Sequence, residues 1–555
     1  MFHLKLEQKI SATRKYFQNH KLIRTLLPVI PGILALAWFL LRVIPKPQRA
    51  SYPCMKVAYP LMSGLVIWLL GITGISASMK LFFKTIKSKK YLFASGSILL
   101  LALFSILYFL RQSDPLIASE GSKVPVHIPN APMGIPQGII PGRVVWSWDP
   151  DATNENCTND ISKNDGYFLA KNNNQEVIDK MLAGTILALA DRKDQKEAWD
   201  AVFRHFNKQK GRGDIGYKNT ETVFIKINQG CASWSTNDDF TRRKGSLGYS
   251  ETSPQVILSV LKQLVNVAGV PQNKIIVADP MAHIYSDNFE LLHRVFPNVI
   301  YGDRTKEAEA LGRTFLTPET KPVLFYSDKG NVIKDGTDCL YTEMQNADYM
   351  INIAALKAHA CAGITLMAKN HFGSITRKTA SHLHTGLVGD QNDKPYRLDY
   401  GMYRVQVDLM GSKYLGRNTV LNIVDGLWGG PEATVAPVKW QMQPFNNDWP
   451  NSIFVSLDQV ALESVCFDFL RSEAMVGLPA WRNRPNFAQG VDDYLHQAAS
   501  SKNWPKGIIY DPDNNGTPIP SLGVHEHWNN PVDKQYSRDL GRAEGIELVK
   551  ILAKK

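Results

Sequence analysis

Three long apolar stretches open the chain, at residues 27–44 (LPVIPGILALAWFLLRVI), 57–76 (VAYPLMSGLVIWLLGITGIS) and 92–110 (LFASGSILLLALFSILYFL). Crossing a bilayer takes about 20 apolar residues and tolerates about 17, so the pattern predicts three transmembrane α-helices. After them the pattern changes. Short apolar runs alternate with segments of helical spacing. GRVVWSW (142–148), TVFIKIN (222–228), KIIVADP (274–280), DYMINIAAL (348–356), TVLNIVDGL (419–427) and SIFVSLD (452–458) read as strands. QEVIDKMLAGTILALA (175–190), the run from Pro254 to Gly269 and a segment near 287–295 read as helices, the second opened by Ser253-Pro254. Buried strands alternating with helices predict an α/β fold, a largely parallel sheet with flanking helices, preceded by the three spans.

The expected organisation is a basic tail (1–26), three spans (27–110), a Pro/Gly-rich linker (111–141) and one large α/β domain (142–555). Proline, glycine and isoleucine in the linker favour an extended spacer over a helix. Net charge is +12. Much of the excess flanks the spans, at Lys5, Lys9, Arg14, Lys15, Lys21 and Arg24, and at Lys80, Lys84, Lys87, Lys89 and Lys90. Basic residues there orient spans, so the charge is read as membrane orientation and not as a nucleic-acid surface. The tail and the 79–91 loop are then cytoplasmic. Three crossings leave the large domain extracytoplasmic, on the periplasmic side of a bacterial-type membrane. No charged residue sits in the middle of the second or third span, which favours anchoring over an ion pathway.

Six cysteines are few for 555 residues, and none forms a CxxC pair. That spacing provides no zinc ribbon, thioredoxin-like site or iron–sulfur cluster motif. The chain has no GxxxxGK[ST] loop, and its one GxGxxG match, GRGDIG (211–216), runs into the strand TVFIKIN and not into a helix, so the context of a nucleotide-binding fingerprint is lacking. Candidate chemistry concentrates at strand ends, where open α/β sheets bind ligands. Lys226 and Asn228, Asp279, Lys357 and His359, Asp425 and Asp458 all stand there. Any one of them is also open to a structural reading, since Asp and Asn at buried strand ends often cap the next helix. The densest stretch is 351–386, where four of the chain's 13 histidines lie between 359 and 384. It adds Lys369, Asn370 and His371, then His382 and His384. Lysines in such a cluster suit a carboxylate or phosphate. Histidines suit proton transfer or a metal, although HxH alone is a weak metal signal.

INIAALKAHACAGITLMAKNHFG (351–373) resembles the signature of the DUF362 family. TVFIKIN, TSPQVILSVLKQLVNVAGV and IIVADP resemble that family's opening block. The HLH at 382–384, VDLM (407–410), LNIVDGLWGGPE (421–432) and SLDQVALESVCFDF (456–469) resemble its later ones. The likeness spans about 220–470, and the leading GRVVWSWDPDATN is similar to one, membrane-anchored, branch. The resemblance implies no settled activity. Relatives with a cysteine-rich ferredoxin-type segment imply redox links, and this chain lacks those cysteines.

Two readings follow from the sequence. In the first, Lys226, Asn228, Lys357, Lys369 and Asn370 grip an anionic small molecule, His359, Asp279 or Asp425 moves protons, and His382 and His384 offer a metal site. In the second, the domain is a non-catalytic ligand- or metal-binding subunit of a membrane complex, with the bilayer and a membrane protein as its partners. The cofactor is left unknown by both.

Overall fold

The computed structural model describes residue 84 and residues 131–243, 248–389, 399–476 and 487–553. Those from residue 131 onward build a mixed α/β domain within the compact unit Val124–Lys555. Fourteen strands occur among the described residues: β1 (Met133–Gly134), β2 (Arg143–Trp148), β3 (Val223–Lys226), β4 (Ile275–Ala278), β5 (Ile300–Asp303), β6 (Thr314–Phe315), β7 (Leu324–Phe325), β8 (Thr337–Asp338), β9 (Tyr349–His359), β10 (Gly363–Thr365), β11 (Thr419–Gly430), β12 (Ser452–Ser456), β13 (Val524–His525) and β14 (Glu547–Leu552). The main sheet has the order β14-β2-β12-β11-β9-β3-β4-β5-β6, with β10 folded back on β9. Pairing is parallel from β11 to β6 and between β14 and β2. Only β12 and β10 run against their neighbours. The C-terminal ends of β3, β4, β9 and β11 therefore share one edge of the sheet.

Alternating side chains bury both faces. Phe224, Met350, Ala354 and Leu356 enter one apolar core. Val223, Ile225, Ile351 and Ile353 enter the other. Helices α1 (Gln175–Ala190), α2 (Gln195–Gln209), α3 (Pro254–Lys262) and α4 (Ser286–Val295) cover the second face. Helices α5 (Gln459–Val476) and α6 (Phe487–Ala499) belong to the first. Their starts follow from local chemistry. Asn174 caps α1 through Val177 N, and Asp194 caps α2 through Lys196 N and Glu197 N. Asp458 accepts Val460 N and Ala461 N at the start of α5, which meets orphan amides of a first helical turn.

Strands and helices fall where hydrophobic spacing places them, with adjustments. The helix from Pro254 is α-helical to Lys262, passes through one π turn at Gln263–Val267, and ends before Gly269, whose φ is 77°. β12 enters the sheet antiparallel. β1, before the first long strand, pairs with β13 near the other end of the domain.

The membrane expectation requires correction. Among the described residues, no helix is long and apolar enough to cross a membrane. This contradicts a multi-pass protein with a cytoplasmic N-terminus and an extracytoplasmic domain. The stretches 27–44, 57–76 and 92–110 lie outside the described residues. The helices that do carry long apolar runs, α1 and α5, place them against the sheet.

Candidate functional site

Lys226 is the last residue of β3, and its neighbour strand β4 delivers Asp279 one residue past its own end. The Lys226 ammonium is 3.0 Å from Asp279 Oδ1, with the two side chains 0% and 3% exposed. It donates to Ile227 O at 2.6 Å and to Asn370 Oδ1 at 3.1 Å. Asp279 Oδ2 accepts Gln229 N at 2.7 Å. Its Oδ1 meets the ammonium without the direction of a hydrogen bond, so that contact is one of charge. Burial pushes the Lys226 amine down, and Asp279 opposes the shift.

Asn370 links this pair to the rest of the site. It ends a single helical turn, Met367–Asn370, that follows β10. Asn228 Nδ2 also donates to Asn370 Oδ1, at 3.1 Å, and Lys357 Nζ donates to Asn228 Oδ1 at 2.9 Å. Lys357 further donates to Ser250 O. Asn370 Nδ2 donates to Asn352 Oδ1 at 2.7 Å, and Asn352 Nδ2 lies 3.1 Å from His371 Nε2. Lys357, Asn228, Asn370, Lys226 and Asp279 thus form one continuous buried network. Networks of this kind fix geometry when each member is partnered. Gly373 closes over it. A Cβ at this position would come within 2.2 Å of Asp279 Oδ1 and 3.1 Å of Lys226 Nζ.

Above the network lies a cleft of about 300 Å³, lined among others by Asn228, Asp279, Lys357, His359, Thr365 and Lys369. Lys369 differs from the other two lysines. Its ammonium sits 4.0 Å from the Phe372 ring centroid, and among the described residues it has no carboxylate within salt-bridge distance. Burial pushes its amine down to about 7, and Lys357 and Lys226 add to the depression. Part of Lys369 stays exposed to the cleft. The hydroxyl of Thr365, opposite Lys357 in the β9–β10 register, is buried without a hydrogen-bond partner among the described residues.

His359 Nδ1 accepts Cys361 N at 2.9 Å and Ala362 N at 3.2 Å. Its proton is therefore on Nε2. Burial, with Lys369, His384 and Lys357 nearby, holds the ring well below its ordinary pKa. His384 lines the same cleft and donates from Nδ1 to Ala380 O at 3.0 Å. This leaves its Nε2 lone pair as an acceptor. Burial, then Lys369, holds His384 down at about 3. The cleft thus combines one imidazole donor, one imidazole acceptor and an amine that titrates near neutrality.

Of the residues expected to form a site, Lys226, Asn228, Asp279, Lys357, His359, Lys369 and Asn370 come together. Asp425 is elsewhere: it accepts Ser253 N and Ser253 Oγ at 2.6 and 2.7 Å, at the start of α3. Its burial pushes it up to about 6. His382 and His384 share the turn Ser381–His384 but take different partners, His382 meeting Asp338 Oδ2 at 2.6 Å. Sequence reasoning missed Thr365, Phe372 and Gly373, all within the densest stretch. An orphan hydroxyl, a ring under an ammonium and a close approach have no signature in residue type.

Residues 223–468 match the family model described as Domain of unknown function (DUF362). The match begins after GRVVWSWDPDATN. No curated protein and no solved structure matches the chain.

Proposed function

We propose, for a chain that belongs to the DUF362 family over residues 223–468, that the cleft at the ends of β3, β4 and β9 binds a small anion, a phosphate- or carboxylate-bearing molecule. One observation carries this reading. Asp279 meets the charge of Lys226, and Asn228 and Ser250 take the hydrogen bonds of Lys357, whereas Lys369 faces the cleft with the Phe372 ring beside it and, among the described residues, no carboxylate within salt-bridge distance. An ammonium without counter-charge is costly to bury, and an anion in the cleft supplies the missing charge. The His359 Nε2–H adds a second donor, and the unpartnered Thr365 hydroxyl adds a third in the same wall.

The same groups support acid–base work on the bound molecule. An amine near 7 gives and takes a proton at physiological pH. The His384 Nε2 lone pair is placed to receive one. Asp279, already committed to Lys226 and to Gln229 N, serves as a positioning residue in this reading. Asp425 takes no part in it, because it secures the start of α3.

Thermal denaturation of the full-length protein with inorganic phosphate and with small carboxylates tests the reading. A ligand that binds only the folded state raises the melting temperature by mass action. The wild type is expected to show such a rise and Lys369→Met to lose it while remaining folded. If no anion raises the wild-type melting temperature, the reading fails.

A further inference from the structure

A second cluster lies outside the cleft, on the first-core side of the sheet. His525 ends β13 and His527 follows two residues later. In an extended chain such residues face the same way and the one between them faces opposite. Glu526 does so: it turns inward and accepts Ser537 Oγ at 2.6 Å and the Ile546 amide. The His525 and His527 rings meet edge to face, with centroids 4.9 Å apart. Helix α6 brings Asp492 against them. One ring nitrogen of each histidine and one Asp492 oxygen lie within 4.8 Å of one another.

The groups behind the histidines are as informative as the cluster itself. Asp468 of α5, 0% exposed, is 2.9 Å from His527 Nδ1. It is itself held by Trp528 N at 2.9 Å, Tyr536 OH at 3.0 Å and Arg471 Nη2 at 2.8 Å. Ser464, one turn earlier on α5, is 2.8 Å from His525 Nδ1. A metal-bound histidine commonly gives its other nitrogen to a carboxylate, which fixes the ring and its tautomer. Asp468 stands in that position. His527 Nε2 is 2.9 Å from Asp492 Oδ1. An ion entering here displaces the His527 Nε2 proton to solvent and draws ligand atoms that now lie within 4.8 Å of one another toward the roughly 3.3 Å spacing that bonds of about 2.0–2.1 Å at the tetrahedral angle require. Asp492 and His527 keep 25% and 18% of their side-chain surface exposed, which gives an ion a route in from solvent.

We propose that Asp492, His525 and His527 form a binding site for a divalent first-row transition ion, with His527 ligating through Nε2 and Asp468 as its positioning residue. Two imidazoles and one carboxylate fit Zn²⁺ or a related ion and leave a coordination position for water or substrate. The site stands apart from the anion cleft and does not depend on it.

Calorimetric titration of chelator-treated full-length protein with ZnCl₂ tests the proposal. The expected result is one ion per chain, with binding lost in Asp492→Ala. Asp468→Asn should keep the stoichiometry and weaken affinity by about 10–100-fold. His527→Ala removes one of the partners of the buried Asp468 and so can disturb the fold as well as the site. The decisive variant is therefore Asp492→Ala, taken with a wild-type circular-dichroism spectrum. Co²⁺ supplies a second readout, since an ordered low-symmetry site gives it visible absorption that the variant should lack. Absence of stoichiometric Zn²⁺ uptake by the wild type, or unchanged uptake in folded Asp492→Ala, would overturn the proposal.

Discussion

Lys226 Nζ and Asp279 Oδ1 lie 3.0 Å apart in the interior, at the C-terminal ends of two adjacent parallel strands. The pair joins the sheet edge to the turn carrying Asn370, and so holds the floor of the cleft in place. Removing one partner of a buried ion pair leaves the other charge unmet and costs about 3–5 kcal/mol. Asp279→Ala is therefore expected to lose stability on that scale in urea unfolding. A loss below about 1 kcal/mol would mean that the pair behaves like a surface contact.

Gly373 owes its place to the same pair. Alanine there would press its Cβ onto Asp279 Oδ1, whose side chain has no room to yield. Overpacking of a filled interior costs about 1–3 kcal/mol. Gly373→Ala should fall in that range by urea unfolding, and a neutral result would show that the floor is looser than described.

The lysines of the cleft separate by stability. Lys357→Met leaves Asn228 Oδ1 and Ser250 O without their donor, at about 1–3 kcal/mol. Lys369→Met removes an ammonium with no carboxylate partner and extends the apolar contact with Phe372. It should be neutral or stabilising by up to about 1 kcal/mol. Chemical denaturation of both variants checks the contrast, and equal losses would contradict it.

Histidine burial sets an acid limit. His371 is fully buried, its Nε2 faces Asn352 Nδ2, and burial holds its pKa down at about 3. Below about 6.5 the unfolded chain takes up a proton that the folded ring refuses. Stability from this residue is thus present above 6.5 and lost as pH falls from there toward 3. In His371→Gln the decline between pH 7 and 4.5 should be shallower than in the wild type, measured as unfolding free energy at several pH values. Parallel profiles would exclude His371 as a source of the decline.

Much of the domain was legible in the sequence, because parallel strands buried on both faces are written as continuous apolar runs. VFIK, IIVA and YMINIAAL fall inside observed strands for that reason. Helix α2 and the edge strand β14 carry more mixed patterns and were not anticipated, although Trp199, Val202, Phe203 and Phe206 mark the buried stripe of α2. The site was legible where polar residues end strands, at Lys226, Asp279 and Lys357, and not where backbone folding decides the outcome. The two HxH sequences show this. At 382–384 the chain makes a helical turn, and the two rings take different partners. At 525–527 the chain runs along and beyond a strand, and the two rings meet beside Asp492. Spacing is identical, and local backbone conformation separates them. Asp425 is the complementary case, a strand-end carboxylate used to hold a helix start.

Equilibrium binding of sulfate to the wild type and to Lys369→Met at pH 6 and pH 8.5 tests the central claim most directly. Sulfate keeps a constant charge over that range, whereas a Lys369 amine with a pKa of about 7 is protonated at the lower pH and neutral at the higher. The account predicts saturable wild-type binding at pH 6, weaker binding at pH 8.5, and none at either pH in Lys369→Met. Wild-type binding that is absent at pH 6, or that persists unchanged in Lys369→Met, would contradict it.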